Sequence, residues 1–125
     1  MTGQPVHFEI PAQDTSRSRQ FWSSLFGWEW QTVEGPFEYH MTRLSDTSGA
    51  AVYPPQGGEQ GIRVYFDADD INATAARVRE IGGEAEEVQP VPGMGWFAIC
   101  KDTEGNPFGL WQNDPNAGGD AQQAS

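Results

Sequence analysis

The chain runs through one pattern twice, and that repetition limits its fold more than any single motif does. "VHFEI" (6–10) alternates apolar and polar residues and stops at Pro11, as a short two-faced strand does. Asp14 then suits a helix N-cap. Phe21, Trp22, Leu25 and Phe26 form two i,i+4 pairs on one helical face, and Gly27 ends the helix. Strands follow at "WEWQTV" (28–33), "FEYHMTRL" (37–44) and "AAVY" (about 51–53), separated by Gly35-Pro36 and by "SDTSG" (45–49). Then the order restarts. "IRVYF" (62–66) reads as a strand, and Asp69 or Asp70 caps a helix with the stripe Ile71, Ala75, Val78 and Ile81. Gly82-Gly83 end it, and strands follow at "AEEVQ" (85–89), "WFAICK" (96–101) and "FGLWQ" (108–112). "DTEGN" (102–106) is a hairpin turn.

The first strands begin 56 residues apart, at Val6 and Ile62, and the helix-ending glycines Gly27 and Gly82 lie 55 apart. A matched period with few repeated identities points to a duplicated topology. With 125 residues the chain makes a single domain. It is α+β, made of two tandem βαβββ modules at about 5–56 and 60–113 within a domain spanning 1–113. Residues 114–125 are small, polar and Gly-rich and read as a disordered tail.

Charge removes several function classes. Eighteen acidic residues against seven basic ones leave a net −11. Gripping a phosphate backbone needs clustered Lys and Arg, so no nucleic-acid partner is expected. The acidity reads first as a solvated, self-repelling surface, and second as a field that draws cations. Cys100 is the single cysteine, which excludes an intrachain disulfide and a cysteine-based zinc cluster. No apolar run is long enough for a membrane span and "MTGQPV" lacks the features of a signal peptide, so a cytoplasmic location is expected. Nucleophile-elbow, P-loop and dinucleotide motifs are all missing.

Three stretches carry a family resemblance: "VHFEIPAQDTSRSRQFWSSLFGW", "YFDADDINATAARVREIGGE" and "PGMGWFAICKDTEGNPFGLWQ". In this order and spacing they resemble the vicinal oxygen chelate superfamily, which includes glyoxalase I, bleomycin-resistance proteins, extradiol dioxygenases and methylmalonyl-CoA epimerase. The resemblance covers about residues 5–113. It implies curled mixed sheets that enclose a cavity, with the helices outside. By alternation, Val6, Phe8 and Ile10 pack under the first helix while His7 and Glu9 face inward. On the fifth strand, Ile62, Val64 and Phe66 face outward, and Arg63, Tyr65 and Asp67 inward.

Metal-dependent members of the family carry ligands on the first, fourth, fifth and eighth strands. In this chain the resemblance puts those positions at His7, among Ala51, Val52 and Tyr53, at Arg63 and at Gly109. Arginine has no lone pair to give and glycine has no side chain, so one ligand of four remains and no metal site is expected. A His7–Glu9–His40 set is the conceivable substitute. The expected ligand-binding residues are instead His7, Glu9, Arg63, Tyr65, Tyr53 and Trp111, with Glu9 and Arg63 paired because a lone buried charge is costly. His7, Glu9 and Tyr65 are the candidates for acid–base chemistry. "PVPGMGWF" (90–97) reads as a lid or an ordered turn, and Cys100 as a small strand residue.

Two functions follow. One is a metal-free, cofactor-free binder of a small organic molecule in an aromatic-lined cavity, as in the bleomycin-resistance branch. The other is a metal-dependent or acid–base enzyme of lyase, isomerase or dioxygenase type acting on a small oxygenated substrate. Whether the chain is an enzyme stays open at this point. The resemblance also implies a homodimer.

Overall fold

A computed structural model describes residues 3–55 and 61–118. The chain divides into two compact units, Val6–Val64 and Met1–Pro5 with Tyr65–Ser125. In chain order the elements are β1 (Pro5–Pro11), α1 (Thr15–Phe26), β2 (Gln31–Thr32), β3 (His40–Arg43), β4 (Gly49–Tyr53), β5 (Arg63–Asp67), α2 (Ile71–Glu80), β6 (Glu84–Ala85), β7 (Gln89–Val91), β8 (Gly95–Lys101) and β9 (Pro107–Asn113).

In the Val6–Val64 unit the strand order is β2-β3-β4-β1. β1 runs parallel to β4, with Glu9 opposite Ala51 and Ile10 opposite Val52, and β3 runs antiparallel to β4 with Met41 opposite Ala51. Paired residues share a face, so Ile10, Val52 and His40 lie on one side and Glu9, Ala51 and Met41 on the other. α1 covers the first side. Asp14 starts it by accepting a hydrogen bond from the Arg17 N–H (2.9 Å), and Gly27 stops it at φ 75°, a left-handed conformation that a side chain disfavours. The Thr15 hydroxyl donates to the Glu38 carboxylate, which also takes the Nε2 of buried His40 (2.7 Å), while His40 Nδ1 bonds the Thr32 hydroxyl (2.9 Å). This chain pins the first turn of α1 to β2 and β3.

The second strand is far shorter than the alternation of 28–33 predicts. The Ser23 hydroxyl of α1 donates to the Trp28 carbonyl (2.6 Å) and accepts from Trp30 Nε1 (3.0 Å), which holds this segment against the helix. Trp28 stacks on Trp22 at 5.3 Å and touches Phe8 and Phe26. The helical face read as apolar is therefore only half covered: Trp22 is partly buried, but Phe21, Leu25 and Phe26 are 58%, 55% and 59% exposed.

The other unit orders its strands β5-β9-β8-β6, with β7 also on β8. β5 and β9 are parallel, matching β1 and β4, and β8–β9 is a long antiparallel pair. Asp70, of the two aspartates considered, caps α2 through the Ala73 N–H (3.1 Å). Ile71, Ala75, Ala68, Ala98, Cys100 and Leu110 form the core between α2 and the sheet. Ile81 and Ile62 were expected to be packed. Both are more than half exposed, because Ile81 falls at the helix C-cap and Ile62 precedes the first paired residue of β5. The predicted strand 85–89 splits into β6 and β7, so the unit reads βαββββ. "PVPGMGWF" belongs to the β7–β8 hairpin, its turn closed by the Met94 N–H on the Val91 carbonyl (3.0 Å). Residues 114–118 are not a disordered tail. Asp114 accepts from Trp96 Nε1 (2.9 Å) and donates its N–H to the Met94 carbonyl, and Ala117 is buried. Residues 119–125 lie outside the described residues.

Candidate functional site

The face of the Val6–Val64 sheet opposite α1 gathers most of the expected polar residues. His7 Nε2 bonds the Tyr39 hydroxyl at 2.9 Å, and that hydroxyl donates to Glu9 Oε2 at 2.7 Å. Arg63 Nη1 lies 3.6 Å from Glu9 Oε1, with only 17% of the arginine side chain and 15% of the glutamate exposed. Tyr53 on β4, opposite Pro11 of β1, brings its ring to 6.2 Å from Tyr39, and the His7 ring lies 6.4 Å from Tyr39. Gly49 sits opposite His7, where an added Cβ would approach the imidazole Nδ1 at 3.9 Å.

The hydrogen bonds assign the tautomer. A tyrosine hydroxyl has one proton, and Tyr39 gives it to the Glu9 carboxylate, so His7 Nε2–H must be the donor to the tyrosine oxygen. Burial holds the imidazole below its ordinary pKa, and the nearby Glu9 charge offsets only part of that effect. His7 is therefore neutral, with its proton on Nε2 and a lone pair on Nδ1.

Tyr39 is the residue that the sequence reading left out of the site. Its position, two residues before Met41 on the inner side of β3, held the signal. Alternation within 37–44 does not say which of its two faces turns inward, and that hid it.

The divalent ion that the resemblance calls to mind does not suit these residues. A guanidinium occupies the fifth-strand position beside Glu9 and contributes a fixed cation. His7 spends Nε2 on Tyr39. His40 cannot complete a His7–Glu9–His40 set because it lies on the opposite face, engaged with Glu38 and Thr32. No group of three His, Cys, Asp or Glu suited to a metal occurs among the described residues.

Tyr65 and Trp111 belong to the other unit. Tyr65 is buried, and its ring lies over Gly109, where any Cβ would overlap it. Trp111 lies over Gly95 in the same way and donates Nε1–H to Asn113 Oδ1 (2.8 Å). The glycine at the eighth-strand ligand position thus makes room for an aromatic ring. Cys100 is buried in this unit's core, which pushes its thiol up to about 11 and keeps it protonated.

A family model described as "Glyoxalase-like domain" matches residues 6–111. The chain belongs to the glyoxalase-like family. Its fold is that of the vicinal oxygen chelate superfamily, since it superposes on a Streptomyces coelicolor methylmalonyl-CoA epimerase variant with TM-score 0.74. That match has 18% identity and covers 94% of this chain and 99% of the other. Among relatives, the anthracycline biosynthesis protein DnrV of Streptomyces peucetius is 30% identical over 88% of this chain and 47% of its own length. A glyoxylase-like domain-containing protein of Didymella fabae is 29% identical over 86% of this chain and 92% of its own. The chain thus spans about half the length of DnrV and nearly all of the fungal relative. No helix among the described residues is long and apolar enough to cross a membrane.

Proposed function

We propose that this glyoxalase-like chain binds a small, flat organic ligand on the tyrosine-bearing face of its Val6–Val64 unit, without a divalent metal. The observation that carries the reading is the continuous chain His7–Tyr39–Glu9–Arg63, an ion pair and a hydroxyl relay that include two of the strand positions to which the resemblance assigns metal ligands. Tyr39 and Tyr53 offer ring surface, and the polar chain beneath them offers orientation, the usual division of labour in a ligand site. The name of DnrV adds support, since anthracyclines are flat polycyclic molecules.

Equilibrium dialysis of an anthraquinone against protein freed of metal by EDTA tests this. Binding should persist after EDTA and weaken at least about tenfold in Tyr39→Ala. A stoichiometric metal that binding requires would overturn the reading.

The hydroxyl relay favours a second reading, an acid–base enzyme with His7 Nδ1 as the proton acceptor. Deuterium exchange at the acidic C–H of a small 1,3-dicarbonyl, followed by NMR in EDTA, should then depend on His7 and be lost in His7→Gln.

Association of two copies, in the cytoplasm, completes the proposal. The exposed Phe21, Leu25 and Phe26 on α1, and relatives of twice this length, support it. Sedimentation should give twice the chain mass, and the mass of a single chain at all concentrations would rule it out.

A further inference from the structure

The α1 side of the β2-β3-β4-β1 sheet carries a second cluster of reactive groups, across the sheet from the tyrosine-bearing face. β2 and β3 pair with Thr32 opposite His40, and the next residue, Val33, donates its N–H to the Tyr39 carbonyl (2.9 Å). Hydrogen-bonded and non-hydrogen-bonded pairs alternate in an antiparallel ladder, so Thr32 and His40 form a pair whose backbone groups turn away from each other and whose side chains lie close. The Thr32 hydroxyl accordingly meets His40 Nδ1 at 2.9 Å, and His40 Nε2 meets Glu38 Oε2 at 2.7 Å.

One donor direction runs through the cluster. A carboxylate only accepts, so the Thr15 hydroxyl and His40 Nε2–H both donate to Glu38, and these bonds hold its carboxyl below the ordinary value. The neutral imidazole then keeps its lone pair on Nδ1, and the Thr32 hydroxyl gives its proton to it. A hydroxyl aimed at an imidazole whose other nitrogen is fixed by a carboxylate is the arrangement that turns an alcohol into a nucleophile. Thr15 and His40 are buried and tie the helix to the sheet, but Thr32 is exposed on β2, which ends the strand order of the described residues. Its N–H, turned away from β3, points to that outer edge. There it can meet the oxygen of a carbonyl that its own hydroxyl attacks.

We propose that Thr32, His40 and Glu38 form an acyl-transfer site, separate from the ligand face, that takes short acyl groups from activated esters. Thr32 Oγ1 bonds to the ester carbonyl carbon while its proton passes to His40 Nδ1. The tetrahedral adduct expels the alcohol or phenol, which takes that proton, and an acyl-threonine remains. Water then adds to this new ester, its proton passes through His40 to the departing Thr32 oxygen, and the carboxylic acid leaves. Glu38 touches no substrate. It is a positioning residue that orients the imidazole and faces the positive charge that the ring gains during each transfer. The threonine methyl crowds the attacked carbon, which limits the acyl group to short ones.

The probe is p-nitrophenyl acetate at about pH 7.5, with nitrophenolate release followed by absorbance and the acetyl group located by peptide mass spectrometry after an acid quench. Acetyl should appear on Thr32. Thr32→Val and His40→Gln should each slow release at least about tenfold, while Thr32→Ser, which keeps the hydroxyl and sheds the methyl, should react faster than the unmodified protein. Glu38→Gln should also slow release, and Glu38→Asp, which restores a carboxylate, should recover part of the loss. Equal release in those two variants would leave Glu38 a packing role only and overturn the triad. Release no faster than in buffer, release as fast in Thr32→Val as in the unmodified protein, or acetyl found only on a tyrosine or on Lys101, the single lysine, would overturn the proposal as a whole. Where a variant does not fold, the position of the acetyl group in the unmodified protein decides. None of these outcomes bears on the binding reading, whose residues lie on the other face of the sheet.

Discussion

His7 shows how much a single hydrogen-bond donor decides. Burial depresses its pKa, so the folded protein resists a proton that the unfolded chain accepts at the ordinary imidazole value. Between those two values the unfolded state binds more protons, and stability falls as the pH drops through that window and is level above it. Urea midpoints at about pH 7.5 and about pH 5.5 should therefore differ by less in His7→Gln than in the unmodified protein. Gly109 is decisive for a different reason. The Tyr65 ring fills the space that its Cβ would need, so Gly109→Ala should destabilise the fold by about 1–3 kcal/mol, measured by thermal or urea unfolding. The family resemblance marked Gly109 only as a missing metal ligand. That a ring crosses it is a fact of packing between β5 and β9, which no local pattern carries.

At the scale of elements, the parts set by local rules were legible and those set by pairing were not. Both helices begin at aspartates and end at or beside glycines, because caps act within four residues of sequence. Asp14→Ala and Asp70→Ala should each cost about 1 kcal/mol, and equal losses in chemical denaturation would show that the duplicated modules use the same device. Alternation placed His7, Glu9 and Arg63 on one face of the chain, since a strand's period needs no partner to be read. The lengths of β2 and β3 escaped it. Trp28 and Trp30 alternate like strand residues, yet Ser23 draws them onto α1, and β3 begins only where β4 supplies a neighbour. Tyr39 fell inside the predicted 37–44 strand, but without a register alternation could not say which face it took, and the link between His7 and Glu9 was missed with it. The 85–89 stretch similarly divides because each half pairs with a different end of β8.

For the whole molecule the sequence carried the duplication and the superfamily, because a 56-residue period survives the loss of residue identity. It could not show which apolar residues stay uncovered. The rings of Phe21, Trp22, Phe26 and Trp28 form one connected group that reaches solvent through Phe21, Phe26 and Leu25. Around it lies a chain with a calculated isoelectric point near 4.3. At neutral pH, mutual repulsion limits how many copies can crowd that aromatic surface. Near pH 4.3 the repulsion vanishes while the rings remain, so the protein should behave as a sticky colloid: light scattering should rise sharply there, and Phe21→Glu with Leu25→Lys should keep the solution clear. Acid precipitation would then serve as a purification step for this protein, reversible on return to neutral pH and lost in that double variant.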